Sequence, residues 1–186
     1  MSETVIDVVI QDLSEELVQE TAAVLNAAFL DYALTWHEIE SALKEVRESL
    51  AEDRISRVAL LNGNEVVGWV GGIRQYEGNV YELHPIAVRP DMQGHGVGAM
   101  LVRDLERLVH ERGAHTLWLG CDDERGRTTL SATDLYPDVC SHIAKIRNLR
   151  QHPYEFYQKM GFVIVGVLPD ANGPGKPDIF MAKRMR

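Results

Sequence analysis

A glycine-rich segment at residues 93–98 constrains the fold of this chain more than any other stretch of its sequence. It follows a β-branched pattern at 80–88 and leads into a helical pattern at about 96–112. The first amides of a helix have no intrahelical partners, and the helix dipole adds partial positive charge there. Glycines also let the backbone approach a phosphate without a Cβ clash. The sequence therefore predicts a strand, an anion-binding turn and a helix in that order.

Apolar periodicity predicts the other elements. We expect helices at about 15–29, 39–50, 96–112, 138–149 and 153–160, and strands at about 5–10, 57–61, 66–73, 80–88, 116–121, 162–168 and 179–183. This order predicts an α+β fold with one mixed, mostly antiparallel central sheet flanked by helices. We expect a single domain, 1–186, in which 122–152 is an insertion between the fifth strand and the following helix. A lid, a dimer surface and plain packing are all open as its role.

Charge and composition narrow the class of protein. Acidic residues outnumber basic ones by 28 to 19, and the resulting net charge of −9 argues against a nucleic-acid partner. It is compatible with a cationic substrate. No apolar run approaches the roughly 18 residues of a membrane span, and the first residues lack signal-peptide features, so we expect a cytoplasmic protein. The two cysteines, Cys121 and Cys140, lack metal-ligand spacing, and no metal is expected.

The glycine-rich segment also fits a dinucleotide fingerprint. Gly94, Gly96 and Ala99 match its spacing, and Asp122 stands where the ribose-binding acid would. We rank this interpretation second, because residues 89–93 separate the strand from the glycines and the preceding elements are not βαβ crossovers. A loop that binds nothing is a further alternative.

Two segments resemble signatures of the GNAT acetyltransferase superfamily. Gln93, Gly96 and Gly98 match its coenzyme A motif, Gln/Arg-x-x-Gly-x-Gly/Ala, within residues 86–101. Downstream, residues 154–162 resemble a second signature, in which an aromatic-Tyr pair precedes Gly-Phe. The resemblance implies acetyl-coenzyme A as co-substrate and a splay between strands 4 and 5 that admits its pantetheine arm. The cofactor contacts it implies are Ile86, Ala87, Val88, Gln93, Gly94, His95, Gly96, Val97, Gly98, Ala99 and Tyr157.

The resemblance and the chemistry together suggest catalytic residues. Acetyl transfer to an amine needs a base for the ammonium group and gains from an acid for the leaving thiolate. Related acetyltransferases carry a base at the position of Glu82, and His84 can relay a proton or orient a water. Strand alternation places Glu82, His84 and Ile86 on one face if no bulge intervenes. Tyr157 matches the family's tyrosine acid, whereas the family's cofactor-binding Asn is replaced by Arg150.

The acceptor is less well defined by the sequence. Carboxylates and aromatic side chains suit a small cationic amine, and the candidate contacts are Tyr32, Trp36, Glu82, Asp122 and Asp123. The C-terminal half, particularly residues 152–157 and 173–178, is similar to aminoglycoside 6′-N-acetyltransferases, which are often dimers and act in antibiotic resistance. A homodimer that acetylates an aminoglycoside 6′-amine is therefore the expectation. The alternatives are a protein, peptide or polyamine acetyltransferase, or a coenzyme A-binding sensor without turnover.

Overall fold

The computed structural model describes residues 7–30 and 35–185. The chain divides into two compact units, Met1–His115 and Thr116–Arg186. None of the helices in these described ranges is long and apolar enough to cross a membrane.

Within residues 7–30 and 35–115, the first unit combines four strands with three α-helices. The strands are β1 (Val8–Asp12), β2 (Arg54–Leu61), β3 (Glu65–Gln75) and β4 (Val80–Val88), and the helices are α1 (Val18–Phe29), α2 (Ile39–Glu48) and α3 (Val97–Glu111). The strands lie in chain order, and each is antiparallel to the next. A tight turn joins β2 to β3, in which Asn62 and Gly63 both have the positive φ that a type I′ turn requires.

The faces of β3 pack against different helices. Trp69 is fully buried in a cluster with residues of α1 and α2. Gly68 and Gly72 face α3, where an added Cβ would lie 2.9 Å from Leu101 Cδ1 and 2.8 Å from Leu105 Cδ1, respectively. The absence of side chains at these two positions lets α3 approach the strand closely, which sets the position of the helix and of the loop before it.

A buried arginine connects α3 to strands β1 and β2. Arg57 of β2 is only 8% exposed, and its guanidinium donates to Asp104 of α3 and to Asp12 of β1, each at 2.6 Å. A buried charge that loses its partner is strongly destabilising. These two ion pairs therefore help to hold α3 in place.

Strand β4 contains a β-bulge at the position of its proline. Val70 of β3 pairs with Ile86, but Gly72 pairs with Leu83, so His84 and Pro85 together lie opposite Gly71. The His84–Pro85 peptide bond is cis. A Cβ on Gly71 would overlap the carbonyl oxygen of His84, so only glycine fits opposite the bulge. A proline is tolerated in this strand because the bulge interrupts the regular ladder there.

Over residues 116–185, the second unit contains three strands and two short α-helices. They are β5 (Thr116–Asp122), α4 (Val139–Ala144), α5 (Tyr154–Lys159), β6 (Val163–Leu168) and β7 (Asp178–Arg184). Strand β7 pairs antiparallel with both β5 and β6. Its core includes Leu119 and Met181, which face each other across β5 and β7 and are fully buried.

The segment between β5 and α5 differs from the prediction. A helix was expected over 138–149, but α4 ends at Ala144. Residues after it turn back and pair with the start of the segment, where Leu149 N donates to Arg127 O at 2.7 Å and Thr129 N donates to Arg147 O at 3.1 Å. The amphipathic pattern did not reveal this pairing, which satisfies backbone groups without a longer helix. Leu130 and Leu135 are almost fully buried, so the segment supplies part of its unit's core.

Candidate active site

The glycine-rich loop connects β4 to α3 and is open on its outer side. Gly94 and Gly96 have φ values of +78° and +86°, a left-handed conformation that favours glycine. A Cβ added at either residue would meet no protein atom within 4 Å. Helix α3 begins at Val97, with Gly96 as its N-cap. The backbone in this loop is therefore accessible to a ligand.

The amides of this loop are available to an anion. The first helix amide that bonds to the loop is Met100 N, which donates to Gly96 O at 3.0 Å. Within the described residues of the first unit, the amides of Gly94, Gly96 and Gly98 make no backbone hydrogen bond. Gln93 instead anchors the loop, because its Nε2 donates to Val88 O at 3.1 Å. Unpaired amides, helix dipole and open space together fit a diphosphate.

Glu82 lies in a polar cluster on β4. Its Oε2 accepts a hydrogen bond from Nε2 of Gln75 at 2.6 Å, and its Oε1 lies 4.0 Å from Nδ1 of His84. The Glu82 side chain is 20% exposed and the His84 side chain 40% exposed. The cluster is thus anchored within the protein while remaining accessible to solvent. A carboxylate beside an imidazole can accept a proton directly or through water.

An aromatic side chain supports His84 from the helix side. The Trp36 ring lies 5.8 Å from the His84 ring and 4.7 Å from Phe29, in an edge-on contact. Asn26 fixes the backbone here, since its Nδ2 donates to Trp36 O at 2.7 Å and to His37 O at 2.9 Å. Trp36 is only 7% exposed, so it supports the cluster rather than offering a broad wall to an acceptor. The other predicted aromatic contact, Tyr32, lies outside the described residues.

The bulge places the residues after it on the opposite face of the strand from the one that simple alternation predicts. Ile86 pairs with Val70, on the β3 face that packs against α3, whereas Glu82 pairs with Ile73, which shares a β3 face with Trp69. Glu82, His84 and Ile86 were expected to share one face only if no bulge intervened; because the bulge is present, Glu82 and Ile86 lie on opposite faces. The extra residue at His84–Pro85 shifts the alternation by one.

Tyr157 lies on α5 in the second unit and is 7% exposed. Burial raises the pKa of its phenol, and the nearby Cys121 thiol raises it further. The phenol is therefore protonated at neutral pH. Its ring packs against Phe156 and Phe162, at centroid distances of 5.1 and 5.8 Å.

A buried histidine joins the start of α5 to the end of β5. His152 Nδ1 accepts from Tyr154 N at 3.2 Å, so the proton is on Nε2, which donates to Asp122 O at 3.1 Å. Asn148 holds the same turn, because its side-chain amide exchanges two hydrogen bonds with the backbone of His152. Burial lowers the pKa of His152 and keeps the ring neutral, against the opposing charges of Asp123 and Asp122. These contacts position the helix that carries Tyr157.

The two aspartates predicted as acceptor contacts have different environments. Asp122 is exposed, and one of its carboxylate oxygens accepts from Nδ2 of Asn172. Asp123 is 1% exposed, and its oxygens accept from Arg127 N at 2.7 Å and Thr128 N at 2.8 Å. Burial raises its pKa, but these hydrogen bonds outweigh burial and leave the pKa lowered. The expected acceptor contact of Asp123 is therefore wrong, because the carboxylate is enclosed by its own loop.

Three residues that shape these sites were not predicted from the sequence: Gln75, Asn148 and His152. Only His152 carried a signal, as a histidine before a proline at a helix start. The contacts of the other two depend on strand register and loop closure, which periodicity does not reveal. Across residues 7–30 and 35–185, no group of three or more His, Cys, Asp or Glu side chains could hold a metal ion.

His152 predicts that mild acid destabilises the protein. Because its folded pKa lies below its unfolded value of about 6.5, the unfolded state binds more protons as the pH falls. The contribution of the neutral His152 ring to the free energy of unfolding is complete above about pH 6.5. Below that pH the free energy of unfolding declines by at most about 1.4 kcal/mol per pH unit for one proton. Urea denaturation between pH 7 and pH 5 measures this loss.

The matched variants are His152→Gln and His110→Gln, the latter on the exposed side of α3. We expect a smaller pH dependence in His152→Gln and the wild-type dependence in His110→Gln. If the free energy of unfolding depended on pH equally in His152→Gln and the wild type, His152 would not be the group responsible.

Comparison with known proteins agrees with this geometry. The model of the acetyltransferase (GNAT) family matches residues 19–130. A search of curated protein sequences gives no match. A solved aminoglycoside 6′-N-acetyltransferase complexed with coenzyme A is 42% identical, with a TM-score of 0.87 over 96% of this chain and 97% of that one. The aminoglycoside 6′-N-acetyltransferase from Enterococcus faecium is 40% identical, with a TM-score of 0.86 and the same coverage.

A third solved structure, an aminoglycoside 6′-acetyltransferase type Ii, is 31% identical with a TM-score of 0.72, again over 96% of this chain and 97% of that one. These likenesses cover both units and confirm the predicted α+β fold. With the family match, they establish acetyl-coenzyme A as co-substrate and exclude the dinucleotide interpretation. The chain belongs to the acetyltransferase (GNAT) family and is an N-acetyltransferase.

Proposed function

We propose that this enzyme transfers the acetyl group of acetyl-coenzyme A to the 6′-amine of an aminoglycoside. The observation that carries the proposal is the likeness to aminoglycoside 6′-N-acetyltransferases at 42% and 40% identity over nearly the whole chain. The net charge of −9 supports a cationic acceptor, since it attracts positively charged molecules such as aminoglycosides. Antibiotic resistance, a homodimer and a cytoplasmic location belong to the same proposal.

In this proposal the loop 93–98 binds the coenzyme A diphosphate. The open amides after Gly94 donate to the phosphate oxygens, and the dipole of α3 adds to the attraction. The pantetheine arm then follows the backbone of Ile86, Ala87 and Val88. The fixed start of α3 favours this arrangement, because the donors are in place before the ligand arrives.

Glu82 is the proposed base. An alkyl ammonium has a pKa near 10 and is mostly protonated at neutral pH, so it must lose a proton before attack. Glu82 accepts that proton, directly or through a water that His84 orients. The free amine then forms a C–N bond with the acetyl carbon as the C–S bond breaks.

Tyr157 is the proposed acid for the leaving thiolate. The buried phenol is protonated when the thiolate forms, and the phenolic proton then passes to sulfur. Bulk solvent restores the proton afterwards. Among the acceptor contacts we retain the exposed Asp122 with Glu82, since an accessible carboxylate can bind the ammonium groups of an aminoglycoside.

A panel of acceptors tests the proposed substrate. We expect thiol release with aminoglycosides that carry a 6′-amine, and turnover at least about 10²-fold slower with matched aminoglycosides that carry a 6′-hydroxyl, because the nucleophile is then missing. Spermidine and lysine peptides serve as the competing acceptor classes. A preference for polyamines or peptides would overturn the aminoglycoside assignment, and coenzyme A binding without turnover would indicate a sensor.

A glycine pair on α3 tests the phosphate loop. Gly96→Ala and Gly113→Ala both place a side chain at positive φ in open space, at opposite ends of the helix. We expect each to cost about 1 kcal/mol of stability from backbone strain. Only Gly96→Ala should weaken coenzyme A binding, by about tenfold or more, because its methyl group enters the anion site. Calorimetry with coenzyme A measures the difference, and equal affinities in the two variants would exclude the loop as the diphosphate site.

A tyrosine pair on α5 tests the acid. Tyr157→Phe should lower kcat by roughly 10²-fold, the usual scale of general acid catalysis, with little change in coenzyme A affinity. Tyr154→Phe is the matched control, a buried tyrosine one helical turn earlier. We expect it to retain most of its turnover. Comparable kcat values in the two variants, measured by thiol release, would remove Tyr157 from the mechanism.

A further inference from the structure

The hydrogen bond from Gln75 to Glu82 has no place in the mechanism above. Gln75 is the last residue of β3 and pairs with Val80, so it lies diagonally across the strands from Glu82 on the same face. Its Nε2 approaches Glu82 Oε2 to 2.6 Å. A carboxylate has only acceptors when ionised, so the amide must present its NH₂ group to it.

This contact divides the two oxygens of Glu82 between different neighbours. Oε2 is occupied by Gln75, while Oε1 faces His84 at 4.0 Å. A glutamate side chain has three rotatable bonds, and a free one would spread its carboxylate over several positions. The Gln75 amide restricts that freedom and leaves one defined oxygen on the His84 side.

The chemical nature of the donor matters as much as its position. A lysine or arginine at this place would stabilise the ionised carboxylate strongly and make it a weaker proton acceptor. A neutral amide orients the carboxylate without adding a positive charge. It also places no second cation where a cationic acceptor must approach.

We propose that Gln75 is a positioning residue, which holds Glu82 Oε2 through its side-chain amide so that Oε1 is the oxygen that receives the acceptor's proton. The proposal rests on the proposed role of Glu82 as base. In this role Gln75 acts through Glu82 and not on the thioester or the amine. A small error in the position of a catalytic group lowers the rate sharply, so loss of the amide should appear in kcat.

A double-mutant cycle with 6′-amino aminoglycosides and acetyl-coenzyme A tests this. Gln75→Met keeps the chain length and removes the donor, and we expect it to lower kcat about tenfold with the KM for acetyl-coenzyme A unchanged. Glu82→Gln should lower kcat by roughly 10²-fold. If Gln75 acts through the carboxylate, Gln75→Met should cause no further loss in the Glu82→Gln background.

Two more variants separate the hydrogen bond from effects on folding. Gln75→Glu keeps the shape of the side chain but repels the Glu82 carboxylate from its position. Because the like charge would by itself make Glu82 a stronger proton acceptor, a loss in kcat at least as large as in Gln75→Met reports the lost position of the carboxylate. Gln11→Met, on the exposed side of β1, is the matched control and should retain wild-type kcat. Thermal unfolding of each variant shows whether the folded protein is being assayed.

The outcomes distinguish the inference from the proposed function. Wild-type kcat in Gln75→Met, or an independent tenfold loss in the Glu82→Gln background, would overturn the role of Gln75 and leave Glu82 as base. Wild-type kcat in Glu82→Gln would instead remove the base, and the positioning role with it. The inference is supported if Gln75→Met lowers kcat in the wild-type background but not in the Glu82→Gln background, with an unchanged KM for acetyl-coenzyme A.

Discussion

The β-bulge in β4 is the constraint on which the first unit's site depends. His84 and Pro85 lie opposite the single residue Gly71, and this extra residue shifts the alternation of the strand. Residues before the bulge present Glu82 toward the layer of α1 and α2, and residues after it present Ile86 toward α3. The same strand therefore carries the polar cluster on one face before the bulge. After the bulge, Ile86 lies on the other face, and the strand continues into the anion-binding loop.

The loop itself depends on how closely α3 packs against β3. Gly68 and Gly72 leave room for two leucines of the helix, and Arg57 fixes the same helix through a buried ion pair with Asp104. The start of the helix is thereby held independently of any ligand. Amide donors that are already oriented lose little entropy on binding, which suits the capture of a diphosphate.

In the second unit, buried polar groups organise the segment that precedes α5. Asp123 is enclosed by loop amides, and His152 connects Asp122 to the first amide of the helix. Each satisfies groups that would otherwise be costly to bury. In the sequence these polar residues could be surface or catalytic groups. In the structure they are buried, and their hydrogen bonds hold the segment that leads into the short helix carrying Tyr157.

The sequence by itself determined the α+β class, the main elements, the glycine loop and the candidate pair Glu82 and Tyr157, because periodicity, turn glycines and local motifs act over short stretches. Only the tertiary structure decided that Ile86 faces away from Glu82, that Asp123 is enclosed and that Gln75 holds Glu82. These features depend on a register shift of one residue and on the closure of a long loop. Both arise from pairing between distant segments, which a local pattern does not specify.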